Sequence, residues 1–466
     1  MIGINSRPTA PLLLTFFAGL TALLAYLSIE SQPSVQTALL FFFIPPVLYL
    51  CLKYPEVSFA LFLASGSYKT DQRLQQINSV LDISLILAAV TTLSVLARFY
   101  KNREPLRFTK EASAPILLIL LIAAISLMYT PMLIYGGNKL VKLFFITAPC
   151  FFLSAAIFNK EEGLALFFNM LIVVAVLMLL DLYFSGISPG VHRSYSALGA
   201  NYIAFGRLAG FSAITMIFYF FWQYRSFAGK AACFIIGSIM ALAMLLTGGR
   251  GPIVGLLLGL ASSFAAQRYR AVHAKQLAVN LAPLILIFFV VAITALLSNQ
   301  EYFVGILERS SALYRLEDTS TVTRIDYYTK AFEIMGSFPE FFTGSGLGGF
   351  GAYYNLEDSA RVLYPHNVFF ELGAELGIFA LLAFIAFLYS VFRASLANIK
   401  AAASKIDYSI SITLFVGLVY WLANAMFSGD INDNRFLFVV SGVICGMYER
   451  SKTLKEKELA KNAEQR

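Results

Sequence analysis

Runs of about 17 to 25 apolar residues recur along almost the whole sequence, and that is the length a helix needs to cross the hydrocarbon core of a bilayer. Lipid offers no partner to an exposed backbone N–H or C=O, so a chain of this kind folds into helices that satisfy their own backbone. The runs do not alternate apolar and polar residues, which argues against a bacterial β-barrel. Hydrophobic residues make up 58% of the chain and charged residues 13%, more apolar surface than a soluble domain hides. The fold class is therefore all-α, a polytopic transmembrane helical bundle of about 12 to 14 spans. The expected spans are 9–29, 37–52, 55–67, 78–98, 113–130, 137–158, 162–184, 207–223, 230–247, 251–266, 277–298, 366–394, 407–427 and 434–448. Segment 55–67 is short for a crossing and reads as a broken or re-entrant helix. The run that starts at Thr9 lacks a small-residue cleavage pattern and is expected to stay as the first span.

Charge orients the bundle. RFYKNREPLRFTK (98–110) carries five basic residues and one acid, QRYRAVHAK (267–275) carries three basic residues, Arg393 to Lys405 another three, and the tail ERSKTLKEKELAKNAEQR six. Alternating the spans puts all four segments on one side, which the positive-inside rule makes cytoplasmic, together with both termini. The formal net charge of +8 collects in these loops and the tail, so no nucleic-acid partner is expected. Three regions follow: an N-terminal transmembrane scaffold (1–200), a second transmembrane region (201–448) that includes a large outward-facing loop (299–365), and a basic cytoplasmic tail (449–466).

Two long segments face the periplasm in this arrangement, 186–207 and 299–365. The second holds nine acids against five basic residues. Within it, TRIDYYTKAFEIM (323–335) has helical periodicity, and TGSGLGGFGAYYN (343–355) is dense in glycine. No strand precedes those glycines and no GK[ST] follows, so a turned or flexible loop is expected rather than a nucleotide site. The four cysteines lie in or beside apolar runs without CxxC spacing and read as core residues. No His/Asp/Glu cluster has metal-ligand spacing, so neither a metal nor another cofactor is expected.

Cations gather at one edge. Arg207 opens the span FGRLAGFSAI, Arg250 sits in LLTGGRGPIVG between two apolar runs, Arg435 opens the last span, and His366 follows the large loop. Arg193 and Arg361 lie nearby in the loops. A single arginine at a helix end snorkels to the headgroups without further meaning. GGRG, however, leaves no room for a solvated loop, and its glycines permit close approach. Arg435 has Asp430 and Asp433 as local partners. Several arginines together suit bidentate contacts to phosphate. A lipid-linked diphosphate fits such an edge, with its tail among the membrane lipids and its diphosphate at headgroup level. His366 titrates near neutrality and is a candidate acceptor for a hydroxyl proton. Its bland alternative is a hydrogen bond to a carbonyl at a helix start. Pro365 favours that start and Asn367 suits a cap. Glu371 and Glu375 are given no role.

These segments resemble the O-antigen ligase and polymerase family. The long loop ending in YPHN and followed by ELGAELGIFA is similar to the family signature. LLTGGRGPIVGLLLG (245–259) resembles its T-x-[SG]-R-G segment, GSFPEFFTGSGLGGFGAYY (336–354) its stretch before the histidine, and NDNRFLFVVSGVICG (432–446) its last span. The resemblance covers roughly 200–446. It implies an inverting, metal-independent glycosyltransferase at the periplasmic face of the inner membrane. The donor is then a glycan on undecaprenyl diphosphate, and the acceptor lipid A-core or a lipid-linked glycan. On that basis Arg207 and Arg250 hold the diphosphate, His366 activates the acceptor hydroxyl, and Asn367 supports it. Gly377 stands where the ligase pattern has glycine, but Ala380 departs from its last place, which leaves the acceptor open between ligase and polymerase. A lipid-linked oligosaccharide transporter is the competing class. It calls for charges near mid-membrane and often an internal repeat, and no repeat is visible.

Overall fold

The computed structural model describes residues 47–67, 82–102, 109–158, 161–184, 202–267, 319–354 and 363–464. The described residues are helical, with no strand among them. The helices are α1 (Val47–Lys53), α2 (Pro55–Ala64), α3 (Ile83–Asn102), α4 (Lys110–Ser126), α5 (Leu133–Ile157), α6 (Glu161–Phe184), α7 (Tyr202–Gln223), α8 (Phe227–Leu246), α9 (Arg250–Gln267), α10 (Thr319–Gly336), α11 (Glu340–Thr343), α12 (Val368–Ala401), α13 (Lys405–Phe427) and α14 (Arg435–Glu464). Seven of them, α3, α5, α6, α7, α8, α12 and α13, are long and apolar enough to cross a membrane. Helices α1 and α2 meet at 116° and add an eighth crossing if the pair is one span, as expected of a broken segment at 55–67. Pro55 at the first turn of α2 starts a helix readily but cannot continue one, which accounts for the bend. The expected spans 9–29 and 277–298 lie outside the described residues. The last expected span continues without a break into the charged tail, as α14.

The chain forms two compact units. The first draws on 1–104, 160–212 and 243–249. In it the Arg98 guanidinium grips the Glu56 carboxylate with two hydrogen bonds, 2.7 and 2.9 Å, tying α3 to α2. The Ser65 hydroxyl donates to the Ser84 hydroxyl at 2.8 Å. These contacts satisfy polar groups that lipid would leave bare.

The second unit draws on 105–159, 213–242 and 250–466, so 105–159 joins the C-terminal half rather than the first compact unit. Close packing here is made by glycines. On α9, Gly251, Gly255 and Gly259 line the face against α13. A Cβ at Gly255 would lie 2.7 Å from Asn424 Nδ2 and 3.0 Å from the Tyr420 carbonyl, and one at Gly259 3.2 Å from Val416. On α14, Gly442 meets the Phe151 carbonyl and Ser154, and Gly446 the backbone of Ala155, both on α5. Small residues one turn apart let two backbones approach, and dispersion and Cα–H contacts then hold the helices in lipid.

Helix α12 is broken at Gly377, which has φ 77° and ψ −177°. A Cβ there would collide with the Phe342 carbonyl, so the glycine loop packs directly into the break. That loop is rigidly turned. Gly344, Gly346 and Gly348 have φ of 67°, 86° and 74°, a region other residues enter at a cost of about 1–2 kcal/mol. It is also pinned: the Tyr129 hydroxyl donates to the Thr343 carbonyl at 2.7 Å, the Ser345 N–H to the Ala374 carbonyl at 2.8 Å, and the Leu347 N–H to the Ser126 hydroxyl at 3.1 Å. All four cysteines are free and buried, as core residues.

Candidate functional site

The segment Tyr364-Pro365-His366-Asn367 turns sharply into α12. His366 has φ 57°, the only positive-φ residue other than glycine among the described residues. Asn367 returns to an extended φ of −147°, and its side-chain oxygen accepts the N–H groups of Phe369 at 2.9 Å and Phe370 at 3.4 Å. It is the N-cap of α12, satisfying donors that the first turn would leave unpaired. A strained backbone held in place by a cap and by surrounding rings marks a position whose side-chain direction matters.

The imidazole lies over the Tyr327 ring, with centroids 6.1 Å apart and planes at 10°, and beside Tyr364 at 4.3 Å. Its Nδ1 is buried and has no hydrogen-bond partner among the described residues. Burial, with the Arg324 guanidinium adding to it, pushes His366 down to about 4, against a smaller opposing pull from Asp430. At neutral pH the ring is therefore uncharged, with proton-accepting capacity to spare.

Helix α10 supports this imidazole. Ala331, Ile334, Phe350 and Ala374 form a small core, with Tyr327, Tyr354 and Leu363 packed on it. The Tyr354 hydroxyl donates to Asp326 at 3.0 Å, and the Tyr328 hydroxyl reaches the Met426 carbonyl at 3.5 Å. At the start of α10, the Thr321 hydroxyl accepts from Arg250 at 3.3 Å. Thr321, Arg324 and Tyr328 recur at helical spacing on one side of α10, so Arg250 and His366 engage the same helix within about 10 Å along its axis. Arg250 opens α9, whose glycines fix it against α13, and the turn before it uses Gly248 at φ 68°.

The other candidates are placed as follows. Arg435 opens α14, and its Nε donates to the Asn432 carbonyl at 3.1 Å. Arg207 is 8% exposed and belongs to the first unit. Its helix already includes Tyr202, so Arg207 lies inside α7 rather than opening it as expected: the largely apolar YIAFG before it forms a helical turn. Arg193 and Arg361 lie outside the described residues.

Beneath the histidine turn sits a group with no assigned role in the sequence reading. Lys139 Nζ is 2.6 Å from Glu371 Oε1 and 2.6 Å from Glu375 Oε2, and all three side chains are 1–2% exposed. Glu375 Oε2 also accepts the Gly348 N–H at 2.8 Å. The Lys139 carbonyl accepts from Asn432 at 3.2 Å, whose side-chain oxygen accepts from Thr147 at 2.6 Å. Four segments thus meet around Lys139 and its two carboxylates: α5, the glycine loop, the first arm of α12 and the turn before α14. A lysine inside an expected apolar span was the available signal. Arg324, Tyr327 and Asp430 were likewise not assigned, because their relation to His366 exists only in three dimensions.

These features define a multi-pass helical membrane protein in which an imidazole and an arginine are organised by one helix outside the long apolar spans. Residues 231–385 match the O-Antigen ligase family model. This segment, which contains Arg250, α10, the glycine loop and His366, is what the chain shares with the O-antigen ligase family. No curated protein matches the chain.

Proposed function

We propose that the protein is an O-antigen ligase-type glycosyltransferase. It transfers a glycan from undecaprenyl diphosphate to a hydroxyl of lipid A-core on the periplasmic face of the inner membrane. The acceptor hydroxyl gives its proton to the His366 imidazole, and its oxygen attacks the anomeric carbon from the face opposite the diphosphate. The anomeric C–O bond breaks, and the undecaprenyl diphosphate leaves with the electron pair. Charge gained by the leaving group is met by Arg250, so the step needs neither a metal nor an acid. Arg193, Arg361 and Arg435 add positive charge around the donor, and Asn367 holds the histidine turn. Attack opposite the leaving group inverts the anomeric centre.

One observation carries this reading: a neutral imidazole lies against the same helix that binds Arg250. The orientation follows from the basic loops. The test is transfer by the purified protein from a lipid-linked glycan to either lipid A-core or a second lipid-linked repeat unit. A new bond to lipid A-core supports the ligase. A bond only to the second repeat unit makes the protein a polymerase. Export of lipid-linked sugar across vesicles with no new glycosidic bond overturns both.

A further inference from the structure

Below its break, α12 shows a stripe of exposed side chains, Phe379, Leu382, Ile385 and Tyr389, which are 46–64% exposed. They recur at helical spacing along a helix long and apolar enough to cross a membrane, so this face meets acyl chains. The stripe does not stop at Gly377. The Phe342 ring packs on Phe379 at 6.1 Å, Phe341 packs edge-on to Phe342 at 4.8 Å, and Phe338 stands against Phe342 at 6.3 Å. Phe338 is 82% exposed, Phe341 41% and Phe342 45%. Water is a poor environment for three such rings, and exposed aromatic groups continuous with a lipid-facing surface extend it.

The polar groups of this segment turn the other way. Glu340 is the single charge of α11, and it accepts hydrogen bonds from Ser337 at 3.2 Å and Tyr353 at 3.0 Å. Its carboxylate is therefore tied back toward the protein and does not oppose burial of the rings. The α11 turn is rigid, because Gly377 and the pinned glycine loop fix it to α12.

We propose that the aromatic knuckle Phe338–Phe341–Phe342 is seated in the bilayer, where it anchors the α10–α11 segment at the boundary between headgroups and acyl chains. The occupant is phospholipid. The proposal rests on α12 crossing the membrane and not on glycosyl transfer, so it stands or falls independently of the catalytic reading.

Site-directed spin labelling of the full chain in phospholipid nanodiscs tests it. The native cysteines are buried, so an introduced exposed cysteine is labelled selectively. Labels at Phe341→Cys and Phe338→Cys are compared with Leu382→Cys as the lipid reference and Lys455→Cys, on the charged tail, as the aqueous reference. The expected result is that both knuckle labels collide with oxygen more than with a water-soluble nickel chelate, as Leu382→Cys does. Preference for the nickel chelate, as at Lys455→Cys, overturns the proposal. Low accessibility to both reagents with dipolar broadening between labels also overturns it, because a second copy of the chain would then cover the rings. Each labelled variant is accepted only if it elutes as the unlabelled protein does, and the two knuckle positions serve as independent readings.

Discussion

The imidazole of His366 lies nearly parallel to the phenol ring of Tyr327, 10° from coplanar. The ring is thereby held on a surface that also carries Arg324, while its backbone is fixed by the Asn367 cap. Orientation comes from stacking and a strained turn, and the ring's Nδ1 has no hydrogen-bond partner among the described residues.

Removing that nitrogen should abolish the chemistry without unfolding the chain. For His366→Ala we expect transfer to fall by about 10²–10⁴-fold, the usual contribution of a positioned base. For Arg250→Ala a loss of about 10²–10³-fold is expected from lost charge stabilisation. Rates of glycan transfer by purified variants with normal elution profiles check both. Full activity in either variant removes that residue from the mechanism.

The pH dependence should be displaced toward acid. His366 stays neutral down to about pH 4 in the folded chain, against an ordinary value of 6.5. The acid limb of kcat/KM for the lipid-linked donor should therefore fall near pH 4. Arg324→Gln removes a nearby positive charge and should move that limb upward, whereas Asp430→Asn should move it down. The stability effect has a matching sign. The unfolded chain binds a proton here below its ordinary value while the folded chain does not, so this residue's contribution is present above pH 6.5 and is lost as pH falls toward 4.

Lys139 should be needed for folding rather than for proton transfer. Truncation to Met strands two buried carboxylates, a change that costs about 3–5 kcal/mol in comparable sites. Replacing Lys139, Glu371 and Glu375 together by apolar residues should recover much of that loss. Thermal unfolding in detergent measures it, and an unchanged Tm for Lys139→Met would contradict the ionic role drawn from the 2.6 Å contacts.

Helix α9 should tolerate no bulk on its glycine face. Gly255→Leu drives a side chain into Asn424 and Tyr420 and should destabilise by about 1–3 kcal/mol. Gly137→Ala, with open space around its Cβ position, should change stability by less than about 0.5 kcal/mol. Comparing the two by unfolding separates close packing from a general intolerance of substitution.

Much of the architecture was legible because membrane spans announce themselves by local composition. The helix at 319–336 and the Asn367 cap likewise follow from short-range signals: periodicity in TRIDYYTKAFEIM, and a polar side chain set before an apolar run. The break in α12 was hidden, since apolar character continues through LGIFALL and a glycine in such a run has no single meaning. The Lys139–Glu375 pair joins residues 236 positions apart, and nothing local identifies either partner. Arg324 was visible only as one charge on a polar helix face. Its bearing on the histidine arises from how α10 packs against the start of α12.

The interruption at Gly377 divides α12 into two arms with different surroundings. The short arm from Val368 to Leu376 takes its bearing from the glycine loop and the Lys139 ammonium, while the long arm answers to the surrounding lipid. The aim of the imidazole is therefore set by the short arm, and a change confined to the lipid-facing stripe of the long arm reaches it only through the packed break at Gly377.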